Sequence, residues 1–389
     1  MGKRIFLLIN TLKYGGAERI VADLSVFLEK HGHEVHILLM DHRDIAYKYG
    51  GIVHKLTYFR KISLLVTLQN IIMTLFYNLK LRPDITISHM EYFNCVNMIS
   101  SVFGKKIPVF HNYMIESQRD PTFRNRLMDK IVRWRHKDIY KAIVVSKEMI
   151  GKMSENYKIP CEKIKCIYNA FDIDGITKKA GERIFKRDTP FMNDKTFINV
   201  SRFVEQKSLH KLVLAFSRLI LNFPDANLVF IGDGPDRKKL QELINAMGMQ
   251  ENVLITGFIE NPYKLVAHAR AFVFSSYYEG FGNVLVEAMS AGACVISTDC
   301  KSGPREIIAP NTTGITDGVE LCEYGILTTP PDGEWTTEID KVVMDLQKAM
   351  ELVISDETLC DKYKKQSLKR AQDFKYECMY PDWLEIINE

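Results

Sequence analysis

The chain has 389 residues, 46% hydrophobic and 26% charged, the composition of a folded soluble protein long enough for two ordinary domains. Its eight cysteines are scattered, with no Cys-x-x-Cys and no matching His cluster, so no zinc site or disulfide framework is indicated and a reducing cytoplasm is expected. The net charge of +4 hides an asymmetry, because residues 1–185 carry 30 Lys/Arg against 18 Asp/Glu and the remainder 22 against 30. A basic first half is expected to meet an anionic partner. In the absence of a recognisable nucleic-acid module, an anionic membrane surface is the better candidate than nucleic acid.

Met1-Gly2-Lys3-Arg4 runs straight into a strand at Ile5–Ile9, and the polar turn that follows leaves too short an apolar core for a signal peptide. Short apolar strands are predicted at 4–9, 34–40, 84–88, 107–111, 142–146 and 164–168. In the second half they are predicted at 196–200, 227–231, 252–256, 271–275, 293–297 and 324–328. Helical patterns lie between them, which predicts an α/β chain with two doubly wound parallel sheets. Residues 172–195, polar and with Gly175, Gly181 and Pro190, read as the linker between a domain at 1–171 and one at 196–370. Ligands of such sheets bind beyond the strand C-termini, so two facing domains would share a cleft there.

Two segments of the first half bear on a membrane. Ile62 to Leu81 approaches the length of a span, but Gln69, Asn70 and Asn78 favour a helix packed on the sheet. Arg119 to Lys141 holds eight basic residues, with Phe123, Leu127, Ile131 and Trp134 at spacings of four, four and three. Such a helix either lies in an anionic interface or is a solvated face covering the sheet.

The chemistry-bearing segments follow the strands. After the first comes Asn10-Thr11-Leu12-Lys13-Tyr14-Gly15-Gly16-Ala17-Glu18-Arg19, whose paired glycines let a loop approach a ligand or simply make a tight turn. The pattern is not Gly-x-Gly-x-x-Gly, which counts against a nicotinamide oxidoreductase. His111 closes the strand Ile107–Phe110, and His89 closes the strand before it. Asp172-Ile173-Asp174 has the form of a metal-binding pair but sits at the exit into the linker and is read as structural. Arg202 and Lys207 follow the strand at 196–200, and Gly232 and Gly234 follow the next.

The run Tyr278-Glu279-Gly280-Phe281-Gly282-Asn283-Val284-Leu285-Val286-Glu287-Ala288 spans a strand-to-helix turn. Backbone N–H groups at Gly282, Asn283 and Val284 would there face a diphosphate, helped by the helix dipole. Glu287 lies one turn on, on the same face as Asn283, and could accept hydrogen bonds from ribose hydroxyls. Glu279, on the turn, faces the reacting end.

This run resembles the donor-site motif of retaining glycosyltransferases with the GT-B fold, in particular family 4. The resemblance covers nearly the whole chain. Gly15-Gly16-Ala17-Glu18-Arg19 is similar to the family's acceptor-side loop, and a His at position 111 helps hold the donor sugar in such enzymes. Ser201-Arg202 to Lys207-Ser208 is similar to the segment whose Arg and Lys clamp the diphosphate, with serines in place of the usual glycines. Thr256-Gly257-Phe258 resembles the segment that sandwiches the base, and Asp299 to Glu306 the loop where Ser302 and Gly303 could touch the diphosphate while Glu306 caps a helix. A last helix at 371–389 would cross back to the first domain.

The resemblance implies transfer of a hexose or N-acetylhexosamine from a nucleotide sugar, most simply UDP-linked, with retention and without a metal. The implied acceptor is a polyprenyl-diphosphate-linked glycan at the inner face of the cell membrane. A non-catalytic sugar-nucleotide binder is the other alternative; the presence of both Arg202 and Lys207 argues against it.

Overall fold

The computed structural model describes residues 2–13, 15–58, 63–184 and 191–389, so Tyr14, Ile62 and Pro190 lie outside the described residues. The chain forms two compact units, residues 1–170 with 377–389, and residues 171–376. The first runs β1 (Arg4–Ile9), α1 (Gly16–Lys30), β2 (Glu34–Leu39), β3 (Ile52–Lys55), α2 (Ser63–Leu81), β4 (Ile85–His89), α3 (Met90–Ser100), β5 (Lys105–Phe110), α4 (Glu116–Arg119), α5 (Phe123–Trp134), β6 (Ala142–Val144), α6 (Met149–Tyr157) and β7 (Ile164–Cys166). Its sheet is parallel, in the order β3-β2-β1-β4-β5-β6-β7. Strands such as Ile5–Ile9 are apolar throughout because helices cover both faces.

The second unit runs α7 (Ile173–Ala180), β8 (Thr196–Val200), α8 (Leu209–Leu219), β9 (Asn227–Ile231), α9 (Arg237–Ala246), β10 (Val253–Gly257), α10 (Tyr263–His268), β11 (Ala271–Phe274), α11 (Asn283–Ser290), β12 (Val295–Thr298), α12 (Pro304–Ile308), β13 (Val319–Leu321), β14 (Ile326–Thr328), α13 (Lys341–Ser355) and α14 (Glu357–Ala371). Its sheet has the order β10-β9-β8-β11-β12-β14-β13, parallel except for the edge pair β13–β14. The closing helix α15 (Tyr376–Asn388) carries the chain back into the first unit, where Tyr380 meets Phe27 with ring centroids 4.4 Å apart and Lys165 pairs with Asp382 at 3.2 Å.

Three expectations change. The linker expected at 172–195 begins inside the second unit, because the Asp172 carboxylate accepts from Gly175 N at 2.9 Å and so caps α7, whose Ile173, Ile176 and Ala180 are buried. The return to the first unit falls at 376/377 rather than at 371.

The basic segment 119–141 is broken rather than one helix. Pro121 follows α4, Thr122 caps α5 by accepting from Asn125 N at 3.3 Å, and a 3₁₀ turn at His136–Asp138 ends it. Helix α5 buries Asn125, Met128, Asp129 and Val132 and leaves Phe123, Leu127 and Trp134 exposed.

Helix α2 packs, as expected, but with its polar side inward. Asn70 Oδ1 accepts from Thr57 at 2.6 Å and its Nδ2 donates to the Tyr92 hydroxyl at 2.7 Å. Asn78 Oδ1 accepts from the N–H groups of Val102 and Phe103 at 2.9 and 2.8 Å. Among the described residues, no helix is long and apolar enough to cross a membrane.

Candidate functional site

In the second unit the chain passes β8→β9→β10 towards one edge of the sheet and β11→β12→β14 towards the other. The connections therefore diverge between β8 and β11, the switch point at which ligands of open α/β sheets bind. The loops after these two strands, 201–208 and 275–282, contain Arg202, Lys207 and Glu279.

The loops are laced together. Tyr277 N donates to Gln206 O at 2.8 Å, Gln206 Nε2 donates to Tyr278 O at 2.8 Å, and Ser275 Oγ donates to Lys207 O at 2.8 Å. These bonds fix the backbone from which Lys207 Nζ reaches Glu279 Oε1 at 2.5 Å, with both side chains more than four-fifths buried. Lys207 Nζ also lies 5.4 Å from the centre of the Phe274 ring. Two residues to which the sequence assigns separate tasks, one on the diphosphate and one on the sugar, are thus ion-paired to each other. A polyanionic ligand would compete with Glu279 for that ammonium. Arg202 is exposed, with its neighbour Phe203 buried beneath it.

Gly232 and Gly234 lie against the same loop: a Cβ on Gly232 would fall 1.9 Å from Ser201 O, and one on Gly234 2.3 Å from Phe203 O. Backbone bonds from Ser201 N to Ile231 O and from Phe203 N to Asp233 O, both 3.0 Å, draw the two loops together. Gly257 O accepts from Gly232 N at 2.9 Å, and the adjacent Phe258 is exposed.

Gly282 is the N-cap residue of α11 and, being glycine, brings no side chain to the first turn of that helix. Asn283 and Glu287 are both half-buried on that helix. Ser302 is buried and donates to Gly280 O at 3.0 Å, tying the loop after β12 to the Glu279 turn. Gly303, not Glu306, is the N-cap residue of α12.

Sequence reasoning missed the support under this loop. Arg305 donates to Asp299 at 2.6 Å and to Glu320 at 2.8 Å, and Thr316 N donates to Asp299 at 2.7 Å. Burial works against the Arg305 charge, but its hydrogen bonds to Glu320 and Asp299 outweigh that and raise its pKa above the ordinary arginine value. Asp299 and Arg305 stand within a recognisable motif; Glu320 lies on an edge strand that carries no signal.

In the first unit, Gly15 is the N-cap residue of α1 and Gly16 its first residue; Tyr47 Oη accepts from Gly15 N at 3.2 Å. The sequence favours His111 over His89, yet the two meet: His89 Nδ1 lies 3.0 Å from His111 Nε2, in a cavity also lined by Ile20, Tyr168, Asn169 and Trp383. Burial pushes the His111 pKa down to about 4 and that of His89 well below the ordinary value. Burial thus disfavours the charged form of both rings. Asp172 caps α7 and Asp174 pairs with Lys375 at 2.9 Å, so each carboxylate has a structural task.

Comparison with known proteins identifies the family and the fold. Residues 14–174 match the model of Glycosyltransferase Family 4, and residues 181–316 that of Glycosyl transferases group 1. An uncharacterized glycosyltransferase of Methanocaldococcus jannaschii is 34% identical over 326 residues, covering 79% of this chain and 80% of its own. The Campylobacter jejuni N-acetylgalactosamine-N,N'-diacetylbacillosaminyl-diphospho-undecaprenol 4-alpha-N-acetylgalactosaminyltransferase is 28% identical, with 96% of each chain covered. The crystal structure of Anabaena HepE in complex with UDP-glucose superposes with a TM-score of 0.78 at 19% identity, over 99% of both chains. These relatives give no support to an oxidoreductase or to a non-catalytic binder. The chain belongs to glycosyltransferase family 4 and is a hexosyltransferase of the GT-B fold.

Proposed function

We propose that this enzyme moves a hexose or N-acetylhexosamine, with retention, from a UDP-sugar to a polyprenyl-diphosphate-linked glycan at the cytoplasmic face of a membrane. The observation that carries the reading is the ion pair at the switch point, Lys207 on Glu279, just before the start of α11. A donor diphosphate would exchange for Glu279 on Lys207, with Arg202 and the first N–H groups of α11 sharing its charge. The released Glu279 carboxylate would then face the sugar. The leaving phosphate would take the acceptor's proton as the new bond forms on the same face, so no side-chain nucleophile is needed. The Campylobacter relative, whose name specifies a diphospho-undecaprenol acceptor, supports the lipid-linked acceptor, and the basic first half supports an anionic surface.

A panel of UDP-hexoses and UDP-N-acetylhexosamines, incubated with and without a polyprenyl-diphosphate glycan, tests the proposal. Turnover with one donor, dependent on the lipid-linked glycan and giving the donor's own anomeric configuration, is expected. An inverted product would overturn the retaining mechanism, and efficient transfer to a soluble glycan alone would overturn the acceptor class.

Two further outcomes follow. Glu287→Gln should weaken donor binding by about 1–3 kcal/mol in calorimetry, the cost of replacing a charged acceptor of ribose hydroxyls. Unchanged affinity would remove that role. EDTA should leave turnover intact, since Lys207, Arg202 and the helix start would carry the neutralisation. Loss of activity restored by Mn²⁺ would bring in a metal, and its ligands would have to be sought beyond Asp172 and Asp174, each already engaged.

A further inference from the structure

Helix α2 packs Ile71, Met73, Tyr77 and Leu81 on the core yet carries a second apolar face outward. The positions that point away from the fold are Leu65, Leu68, Ile72, Phe76 and Leu79, each between 48% and 52% exposed, at spacings of three, four, four and three. One face of a helix repeats with that period. The opposite face holds Asn70, Thr74 and Asn78, all fully buried. Hydrogen bonds from Thr57, Val102 and Phe103, and to Tyr92, fix the rotation of the helix about its axis, so the apolar stripe cannot turn inward. It extends about 21 Å along the surface at 1.5 Å per residue.

The sequence that carries the stripe has charge of one sign. Between Asp44 and Asp84 the sequence has no acidic residue, while it has Lys48, Lys55, Arg60, Lys61, Lys80 and Arg82. Lys80 Nζ sits 5.7 Å from the centre of the Phe76 ring, so a cation borders the stripe directly. The patch continues over α3, whose Ile99 and the following Val102 are exposed, towards α5. Tyr92 links the three helices: its hydroxyl accepts from Asn70 on α2, and Arg124 of α5 lies 5.1 Å over its ring. Helix α5 adds exposed Phe123, Leu127 and Trp134 among exposed Arg124, Arg126, Lys130 and Arg133.

We infer that α2 is the membrane-inserting element of this enzyme, lying in the plane of an anionic bilayer with Leu65, Leu68, Ile72, Phe76 and Leu79 in the acyl boundary. Helix α5 supplies the electrostatic contact beside it. The inference rests on the membrane-linked acceptor proposed above and identifies the surface that would reach it. Charge decides for this occupant over a second copy of the chain, since an isologous contact would set the cations bordering the stripe against themselves. An anionic lipid surface attracts them, and a helix with one apolar face between cations is suited to the headgroup boundary.

Co-sedimentation with vesicles of phosphatidylcholine and phosphatidylglycerol, at low and at high salt, separates the two contributions. At about 0.5 M salt the screening length is a few ångströms and the electrostatic part is largely lost, so the wild type should retain a salt-resistant component. The triple variant L68Q/I72Q/F76Q should lose that component by about 100-fold, because three large side chains no longer leave water. Reversing Arg126, Lys130 and Arg133 to Glu should instead abolish the extra binding at low salt and spare the salt-resistant part. Donor hydrolysis and the thermal midpoint serve as folding controls for both variants.

Independently, F76W should give tryptophan emission that is quenched by brominated acyl chains beyond the wild-type level. If the triple variant binds as the wild type does, or the F76W emission is not quenched, α2 is not the inserting element even though the membrane reading stands. A wild type that stays in the supernatant at low salt overturns both. A wild-type dimer that the triple variant converts to monomer, with vesicle binding unchanged, makes the stripe a self-association surface and overturns the inference.

Discussion

If Lys207 holds the leaving diphosphate as proposed, Lys207→Ala is expected to lower kcat by about 10²–10³-fold, the effect of removing one preorganised donor from the site of developing charge. The variant also strands Glu279, which is 8% exposed and has Lys207 as its ion-pair partner at 2.5 Å. A buried carboxylate left unpaired destabilises the fold by roughly 3–5 kcal/mol, so a drop in activity alone would not separate catalysis from folding. The double variant Lys207→Ala/Glu279→Ala makes the separation. With both charges gone there is no stranded carboxylate, and the thermal midpoint should recover most of the way to wild type. Turnover should not recover, since neither the proposed diphosphate contact of Lys207 nor the carboxylate proposed to face the sugar is restored. If the double variant regains wild-type turnover along with its stability, the pair is a structural strut and the leaving group is held elsewhere. A cycle with both single variants isolates the coupling energy of the pair.

The parallel strands were legible because strands buried on both faces are written as apolar runs, as in Ile5–Ile9 and Ala271–Phe274. The two strands that went unseen, Ile52–Lys55 and Val319–Leu321, are short edge strands, half exposed and carrying His54 and Glu320 within them. Helix α2 shows a different limit. Asn70 and Asn78 mark it in the sequence as a helix that packs rather than spans, but that they face inward is legible only once Thr57, Tyr92 and the backbone at 102–103 are known to meet them.

The same limit applies at the site. Each motif could be placed on a turn after a strand, since glycines and a change of period mark such turns. That Lys207 touches Glu279, 72 residues away, depends on β8 and β11 being neighbours in the sheet, a pairing that no local pattern encodes. The meeting of His89 with His111 likewise follows from the pairing of β4 with β5.

Gly303→Ala is expected to disrupt the loop between β12 and α12, for two separable reasons. Gly303 has φ of +103°, which an L-residue rarely adopts, and a Cβ there would fall 1.9 Å from Phe281 O and 2.5 Å from Phe281 C. The first effect is backbone strain of about 1–3 kcal/mol. The second is a collision with backbone that cannot rotate aside as a side chain would. Gly314 supplies the comparison, with φ of +106° and nothing within 4 Å of the point where a Cβ would stand. Gly314→Ala should therefore show the strain alone in chemical denaturation. Gly303→Ala should exceed it by at least about 2 kcal/mol, which brings it to the size typical of disrupted cores and buried networks. Phe281 is next to the cap of α11, and Ser302 is bonded to Gly280 O, so the displaced segment is the one proposed to offer its N–H groups to the diphosphate. Donor affinity should fall for Gly303→Ala and stay at the wild-type level for Gly314→Ala. Equal destabilisation of the two variants would mean that the loops after β11 and β12 move apart at little cost. The contact at Gly303 would then not be what holds the start of α11 in place.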